Sequence, residues 1–148
     1  MIRVVIVDDY PSMRFGLREL LNTEADIEVV GECADGQEAL DVVGHLRPDV
    51  VVTDMRMPRL DGAELTKRLL AGDPDMAVVV VTSAPHGVLA ARATAAGAHA
   101  VLTKDGGAPL LVTAVRAADP RARRYASRPV WQRSDAPTGP LPDGPPHS

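Results

Sequence analysis

The chain has 148 residues, of which 45% are apolar and 24% are charged, a composition usual for one globular domain with a short appendage. Twenty acidic residues against 16 basic ones leave a net charge of −4, which excludes a chain attracted as a whole to nucleic acid or anionic membranes. A single cysteine, Cys33, excludes an internal disulfide framework, and no apolar run has the length of a membrane span. We therefore expect a cytoplasmic protein with one core and no membrane partner.

Five short apolar runs alternate with helical patterns along residues 1–118. The first, third and fourth runs are rich in valine and hardly alternate with polar residues, which is typical of parallel strands buried on both faces. The predicted strands are Val4–Val7, Ile27–Cys33, Val50–Thr53, Val78–Thr82 and Ala100–Leu102. The predicted helices are Ser12–Leu21, Gln37–Leu46, Ala63–Leu70, Val88–Ala96 and Pro109–Ala118. Right-handed connections between them would give an α/β fold, a doubly wound parallel sheet with helices on both faces.

The composition changes after Ala118. Residues 119–148 hold seven of the 13 prolines and five arginines against three acidic residues, and their apolar residues follow no helical or strand period. Such a segment buries too little apolar surface to offset its ordering entropy. We therefore expect a folded domain over residues 1–118 and a disordered, Pro/Arg-rich tail over residues 119–148. In this interpretation the arginines form a solvated basic stretch, and contact of Arg121, Arg123 and Arg124 with nucleic acid or with a partner's acidic face is the alternative.

Polar residues follow the predicted strands at the point where each strand ends. Asp8 and Asp9 follow the first strand, Asp54 follows the third, Thr82 closes the fourth and Lys104 comes just after the fifth. Ligands of open parallel sheets bind beyond the carboxyl ends of the strands, so these five side chains should meet in one crevice. Crowded carboxylates repel one another unless a cation joins them, and Mg²⁺ prefers carboxylates and phosphate oxygens. A lysine and a hydroxyl suit the oxygens of a phosphoryl group.

Five segments carry a resemblance to a known family, and they read VVIVDDYPSMRFGL, GECADGQEAL, PDVVVTDMRMPRLDG, VVVVTSAP and GAHAVLTKDGG. Over residues 1–118 the chain resembles the receiver domain of bacterial two-component response regulators. The sequence of these segments is similar to that of receivers of the NarL/FixJ type. The resemblance implies a flavodoxin-like sheet of five parallel strands in the order 2-1-3-4-5. It also implies a LuxR-type DNA-binding domain after the receiver, for which residues 119–148 show no helical pattern.

The resemblance implies a role for each acidic residue at the strand ends. Asp54 would accept a phosphoryl group. Asp8 and Asp9 would form the acidic pair that binds Mg²⁺. The direct protein ligands of the ion would be the carboxylates of Asp9 and Asp54 and the backbone carbonyl of Met55.

The remaining roles implied by the resemblance concern the phosphoryl group and the loops around it. Thr82 would bind the phosphoryl group, and the following loop of residues 83–87 would move with it on activation. Lys104 would form an ion pair with the phosphoryl group. Pro58 and Gly62 would shape the loop after the phosphoacceptor.

The function expected from this resemblance is that of a switch rather than an enzyme with a turnover substrate. The phosphoryl group would come from a phosphohistidine of a sensor histidine kinase or from a small acyl phosphate. An ionised carboxylate needs no general base to attack phosphorus, and Mg²⁺ and Lys104 would neutralise the transferring group. The charge added to Asp54 would shift the fourth helix, fifth strand and fifth helix between two arrangements that control a partner or transcription. Pairing through the first and fifth helices would make a homodimer.

Val101 departs from the family pattern, which has Tyr or Phe three residues before the lysine. Valine has no ring that could swing inwards on activation, so the Thr82 half of the usual switch is kept and the aromatic half is missing. Two alternatives therefore stay open: a receiver that binds partners without phosphorylation, and a shortened DNA-binding regulator of transcription. A phosphatase acting through a phosphorylated aspartate is disfavoured, because Arg56 stands where such enzymes carry a second aspartate.

Overall fold

The structure is a computed structural model and describes residues 1–83 and 87–133. Its strands are β1 (Ile2–Val7), β2 (Ile27–Cys33), β3 (Val50–Asp54), β4 (Ala77–Thr82) and β5 (Ala100–Thr103). Its α-helices are α1 (Pro11–Asn22), α2 (Gly36–Leu46), α3 (Gly62–Gly72), α4 (Val88–Ala95), α5 (Ala108–Ala118) and α6 (Pro120–Ala126). Short 3₁₀ turns at Lys104–Gly106 and Val130–Gln132 follow β5 and α6. No helix within the described ranges is long and apolar enough to cross a membrane.

All five strands are parallel and lie in the order β2-β1-β3-β4-β5, which confirms the predicted doubly wound sheet. The strand order switches between β1 and β3, where folds of this kind bind their ligands. Val7 is level with Thr53 and Asp54 is level with Val81, so the end of β1 emerges beside the end of β3. The five strands and the first five helices match their predicted bounds to within two residues.

Each face of the sheet has its own apolar core. Val5 and Val51 belong to the core that includes buried residues of α2, α3 and α4. Their neighbours Val4 and Val52 point the other way, into the core that includes buried residues of α1 and α5. Every residue of β3 and β4 is buried, which explains why the sequence of these strands does not alternate.

Aspartate caps fix the starts of two helices. The Oδ1 atom of Asp35 accepts from the amide of Glu38 at 2.8 Å at the start of α2, and Asp61 accepts from the amide of Glu64 at 2.9 Å at the start of α3. Each cap satisfies an amide that the helix leaves without an intrahelical partner. Asp61 also pairs with Arg92 of α4, with 3.0 Å between Oδ2 and Nη1. The start of α3 is therefore held by its own cap and by a neighbouring helix.

The chain after α5 continues into α6, which lies against the amino-terminal edge of the sheet. The Nη2 atom of Arg121 donates to the carbonyl of Met1 at 2.8 Å and to Oδ2 of Asp49 at 3.2 Å. Arg123 donates to the carbonyl of Asp75 at 2.5 Å. Because these acceptors lie beside the starts of β1, β3 and β4, α6 is bound at the edge opposite the carboxyl ends of the strands.

Residues 119–133 differ from the expected disordered tail, because the structure has α6 and a 3₁₀ turn there. Few apolar residues are available for burial here, but arginine side chains that donate to backbone carbonyls and to a carboxylate hold this segment. Residues 134–148, the rest of the expected tail, lie outside the described residues. The boundary of the functional domain at residue 118 stays a prediction.

His99 joins the start of β4 to the turn before β5. Its backbone amide donates to the carbonyl of Val78 at 2.8 Å, and its Nδ1 atom lies 3.1 Å from the amide of Val78 and accepts from it. An accepting Nδ1 carries no proton, so this contact favours the neutral ring. Desolvation of the ring and the nearby Arg123 guanidinium lower the pKa of His99 from its usual value.

We expect His99 to lower the free energy of unfolding as the pH falls from about 7.5 to about 5.5. The folded state holds the ring neutral, so the unfolded state binds the proton more readily below the ordinary histidine pKa of about 6.5. The effect should be small because His99 is exposed. His99→Asn keeps an acceptor for Val78 and should flatten this dependence in urea unfolding. His45→Asn, which removes an exposed imidazole from α2, is the matched control, and equal slopes in all three proteins would contradict the prediction.

Candidate functional site

The carboxyl edge of the sheet places the predicted site residues on four neighbouring elements. Asp8 directly follows β1, Asp54 is the last residue of β3, and Thr82 is the last residue of β4. Lys104 directly follows β5 and begins the 3₁₀ turn. Because Val7 is level with Thr53 in the parallel ladder, Asp8 arrives beside Asp54. The fold therefore brings together residues that are far apart in the sequence.

The ammonium group of Lys104 lies near two buried carboxylates at this edge of the sheet. The Nζ atom of Lys104 lies 3.2 Å from Oδ2 of Asp54 and 3.8 Å from Oδ2 of Asp8. Asp8 is 1% exposed and Asp54 is 6% exposed, so both charges are largely removed from water. Asp9 is exposed, and one carboxylate oxygen from each of the three aspartates lies within 4.8 Å of the other two. These four residues thus carry three acidic groups and one basic group.

Asp8 is the most constrained acid of the cluster. Its Oδ1 atom accepts from the amide of Tyr10 at 2.9 Å, while its Oδ2 atom faces Lys104. Burial raises the pKa of Asp8 above its usual value, and the negative charge of Asp54 acts in the same direction. The bond from Tyr10 and the charge of Lys104 oppose this rise without cancelling it. The folded protein therefore favours a proton, or another cation, at Asp8.

The loop after Asp54 is built from backbone contacts. The amide of Arg56 donates to Oδ1 of Asp54 at 3.4 Å, and the hydroxyl of Thr53 donates to the carbonyl of Asp54 at 2.9 Å. The amide of Gly62 donates to the carbonyl of Met55 at 2.8 Å, which brings the start of α3 back onto the end of β3. That carbonyl keeps a second lone pair, so this bond leaves it able to serve as a metal ligand.

Gly62 is required by this close approach. A Cβ atom at this position would lie 2.6 Å from the carbonyl oxygen of Asp54 and 2.9 Å from the Cα atom of Met55. Both neighbours are backbone atoms of the segment that carries the candidate phosphoacceptor, so they cannot move aside without shifting the site. The prediction that Gly62 shapes this loop thus has a steric basis.

The donor set fits Mg²⁺. Carboxylate and carbonyl oxygens are the hard ligands that this ion prefers, and the three clustered aspartates supply the charge. The residues of the cluster also carry more negative than positive charge, so a divalent cation would relieve their repulsion. Asp8, Asp9 and Asp54 would hold the ion, with the carbonyl of Met55 as a further oxygen donor.

The structure brings Asp8, Asp9, Asp54 and Lys104 into one cluster and places Thr82, buried, at the end of the adjacent strand. Residues 84–86 of the predicted mobile loop lie outside the described residues. Val101 is half-buried on β5 and packs against the core that includes α2, α3 and α4.

Sequence reasoning missed Arg14, whose Nη1 atom donates to the carbonyl of Asp8 at 2.6 Å. The spacing in the sequence could have indicated this contact, since a long basic side chain in the first helical turn after Asp8 and Asp9 can reach back to the end of β1.

Gly62→Ala should destabilise the fold by about 2 kcal/mol, because the added methyl group overlaps backbone atoms of Asp54 and Met55. Urea unfolding of the variant and the wild type measures the difference. Gly44→Ala is the matched control, since a Cβ atom at this position in α2 meets nothing within 4 Å. The control should be more stable than the wild type by about 0.5–1 kcal/mol. An equal gain for Gly62→Ala would contradict the steric argument.

Asp8→Asn should stabilise the protein when a chelator removes divalent ions. A carboxylate whose pKa is raised on folding contributes stability at low pH that is lost as the pH rises through the folded pKa. At neutral pH the ionised Asp8 therefore weakens the fold, and asparagine removes the charge while its Oδ1 can still accept from Tyr10. We expect Tm to rise by about 3–6 °C, the shift that roughly 1 kcal/mol gives in a domain of this size. A lower Tm than that of the exposed control variant Asp105→Asn would contradict this account.

Comparison with known sequences agrees with this geometry. The family model for the response regulator receiver domain matches residues 4–116. Response regulator GacA of Pseudomonas viridiflava is 37% identical over 133 residues, which cover 90% of this chain and 62% of the relative. Transcriptional regulatory protein LiaR of Bacillus subtilis is 37% identical over 118 residues, which cover 80% of this chain and 56% of the relative. The chain therefore spans less than two thirds of the length of these relatives.

Comparison with solved structures gives the same result. The response regulator domain of Thermotoga maritima CheB superposes with a TM-score of 0.75 at 33% identity, over 80% of this chain and 96% of that chain. The signal receiver domain of NarL from Mycobacterium tuberculosis superposes with a TM-score of 0.73 at 32% identity, over 77% of this chain and 92% of that chain. With a family match over most of its length and the receiver fold in its structure, the chain belongs to the response regulator receiver domain family of two-component systems.

Proposed function

We propose that this receiver domain is a switch that is phosphorylated on Asp54. The donor is a phosphohistidine on a sensor histidine kinase, and Mg²⁺ bound at the acidic cluster is the cofactor. The modified domain controls a partner protein or transcription from the cytoplasm. The protein turns over no substrate in this role, because the phosphoryl group is transferred to its own side chain.

The observation that carries this proposal is the position of the Lys104 ammonium group. It lies within 4 Å of both Asp54 and Asp8, at the edge of the sheet where one carboxylate oxygen of each of three aspartates clusters within 4.8 Å. A purely structural ion pair would need one acid for one base. The surplus of carboxylates is suited instead to a divalent cation, and Lys104 is suited to a phosphoryl oxygen.

The chemistry needs little beyond this arrangement. A carboxylate oxygen of Asp54 attacks phosphorus in line with the leaving imidazole nitrogen, an O–P bond forms, and the P–N bond gives its electron pair to the imidazole. Mg²⁺ supplies positive charge to the phosphoryl oxygens when it is bound. Lys104 supplies a second positive charge, and the amide of Arg56 holds Oδ1 of Asp54 in place. Asp8 and Asp9 attract the cation without being modified.

The output rests on Thr82 and β5. Thr82 ends β4 beside Thr103 of β5, so a phosphoryl group that draws the hydroxyl of Thr82 would also pull on the β4–β5 edge. Because Val101 fills part of the core without a ring to move, the structural change has to travel through Thr82 and the start of α4. Phosphorylation then shifts the population between two packings of this edge.

The test is labelling of the purified chain with acetyl phosphate in the presence of Mg²⁺. Intact-mass spectrometry should show one added phosphoryl group on the wild type and none on Asp54→Asn or in the presence of a chelator. Asp105→Asn is the matched control, because it removes an exposed carboxylate next to Lys104 without touching the cluster. It should be labelled like the wild type.

Two results would overturn the proposal. Absence of an adduct on the folded wild type at saturating Mg²⁺ would remove phosphorylation and favour a receiver that binds partners without it. An adduct that persists in Asp54→Asn would place the modification on another residue.

A further inference from the structure

The peptide bond between Asp8 and Asp9 joins a buried carboxylate of the cluster to an exposed one. Asp8 is buried and its side chain is engaged by Tyr10 and Lys104, whereas Asp9 is exposed. Asp9 has no strand to fix it, because β1 ends at Val7. The position of its carboxylate near the cluster depends on the orientation of the preceding peptide plane and on its own side-chain rotamer.

Arg14 holds that peptide plane. Its Nη1 atom donates to the carbonyl oxygen of Asp8 at 2.6 Å, a short bond in which the donor carries charge. On the other side the amide of Asp8 donates to the carbonyl of Cys33 on β2 at 3.0 Å. The backbone of Asp8 is therefore fixed at both its amide and its carbonyl, and the second of these bonds comes from a side chain.

The guanidinium of Arg14 is itself oriented from β2. Its Nε atom lies 3.8 Å from Oε1 of Glu32, and the other carboxylate oxygen of Glu32 accepts from Nη1 of Arg18 at 2.8 Å. The side chain of Arg14 is 19% exposed and that of Glu32 is 27% exposed, so water screens these ion pairs only in part. A chain of contacts thus runs from Glu32 through Arg14 to the carbonyl that precedes Asp9.

We propose that Arg14 is a positioning residue for the metal site, which it serves by fixing the Asp8–Asp9 peptide from the first turn of α1. The inference rests on the proposed function, since it assigns a residue that prepares the acidic cluster for Mg²⁺. Arg14 touches neither the ion nor the phosphoryl group in this role. It raises the affinity for Mg²⁺ because the carboxylates of Asp8 and Asp9 are already oriented before the ion arrives.

The experiment is a titration of the ¹⁵N-labelled chain with MgCl₂, followed by backbone amide shifts, which report folding and the Kd for Mg²⁺ in one measurement. Arg14→Ala should weaken binding about tenfold, the lower end of what loss of a residue that orients a metal ligand produces. Arg14→Lys keeps a donor for the carbonyl without the fork that also faces Glu32, so its Kd should lie between those of Arg14→Ala and the wild type. Arg18→Ala is the matched control, since it removes an α1 arginine that contacts Glu32 but not Asp8.

Labelling with acetyl phosphate supplies a second readout. A positioning role predicts that Arg14→Ala raises the Mg²⁺ concentration for half-maximal labelling by the same factor as the Kd. The rate at saturating Mg²⁺ should stay within about twofold of the wild type, because occupancy restores the geometry. A merely structural role would lower Tm and leave the half-saturating Mg²⁺ concentration unchanged.

Three results would overturn the inference. The first is a folded Arg14→Ala variant that binds Mg²⁺ as tightly as the wild type, and the second is equal weakening by Arg14→Ala and Arg18→Ala. If Arg14→Ala does not fold, the third result is a Kd of Arg14→Lys for Mg²⁺ that equals that of the wild type. Loss of Mg²⁺ binding and labelling in the wild type itself would instead overturn the proposed function on which the inference rests.

Discussion

Electrostatic repulsion among carboxylates at one edge of the sheet is the constraint on which the rest of this molecule depends. Burial of the Asp8 carboxylate raises its pKa, and the neighbouring charge of Asp54 adds to this rise, even with Lys104 close by. Such an arrangement persists only because the surrounding fold is strong enough to hold it. Two apolar cores on either side of a fully buried pair of central strands provide that strength. The uncharged cores of the domain thus hold in place a site that favours the binding of a cation.

The fold and most of the candidate site can be predicted from the sequence because both follow from strand placement. Continuous valine runs mark strands buried on both faces, and the ends of parallel strands meet at one edge whatever the distance between them along the chain. Asp54 and Lys104, which lie in different segments, can therefore be assigned to one crevice from the amino-acid sequence alone. Receiver motifs then supply the roles of these residues, which geometry by itself does not give.

Other features depend on contacts that no local pattern records. The crowding at Gly62 arises because the start of α3 folds back onto the end of β3, and the contact of Arg14 with Asp8 requires the particular path of α1 away from β1. The ordered segment after Ala118 has a similar explanation. Prolines and scattered apolar residues predict no structure there, but arginines that donate to carbonyl groups hold α6 without an apolar stripe. A criterion based on apolar burial cannot detect this kind of docking.

The attachment of α6 to the starts of the strands has a consequence for signalling geometry. The central strands are five and six residues long, so the anchored C-terminal segment sits roughly 15–20 Å from the aspartate edge. At that distance α6 and the side chains of the aspartate cluster are not in contact. A change at the aspartate edge can therefore influence α6 only through the packed strands and helices that lie between them.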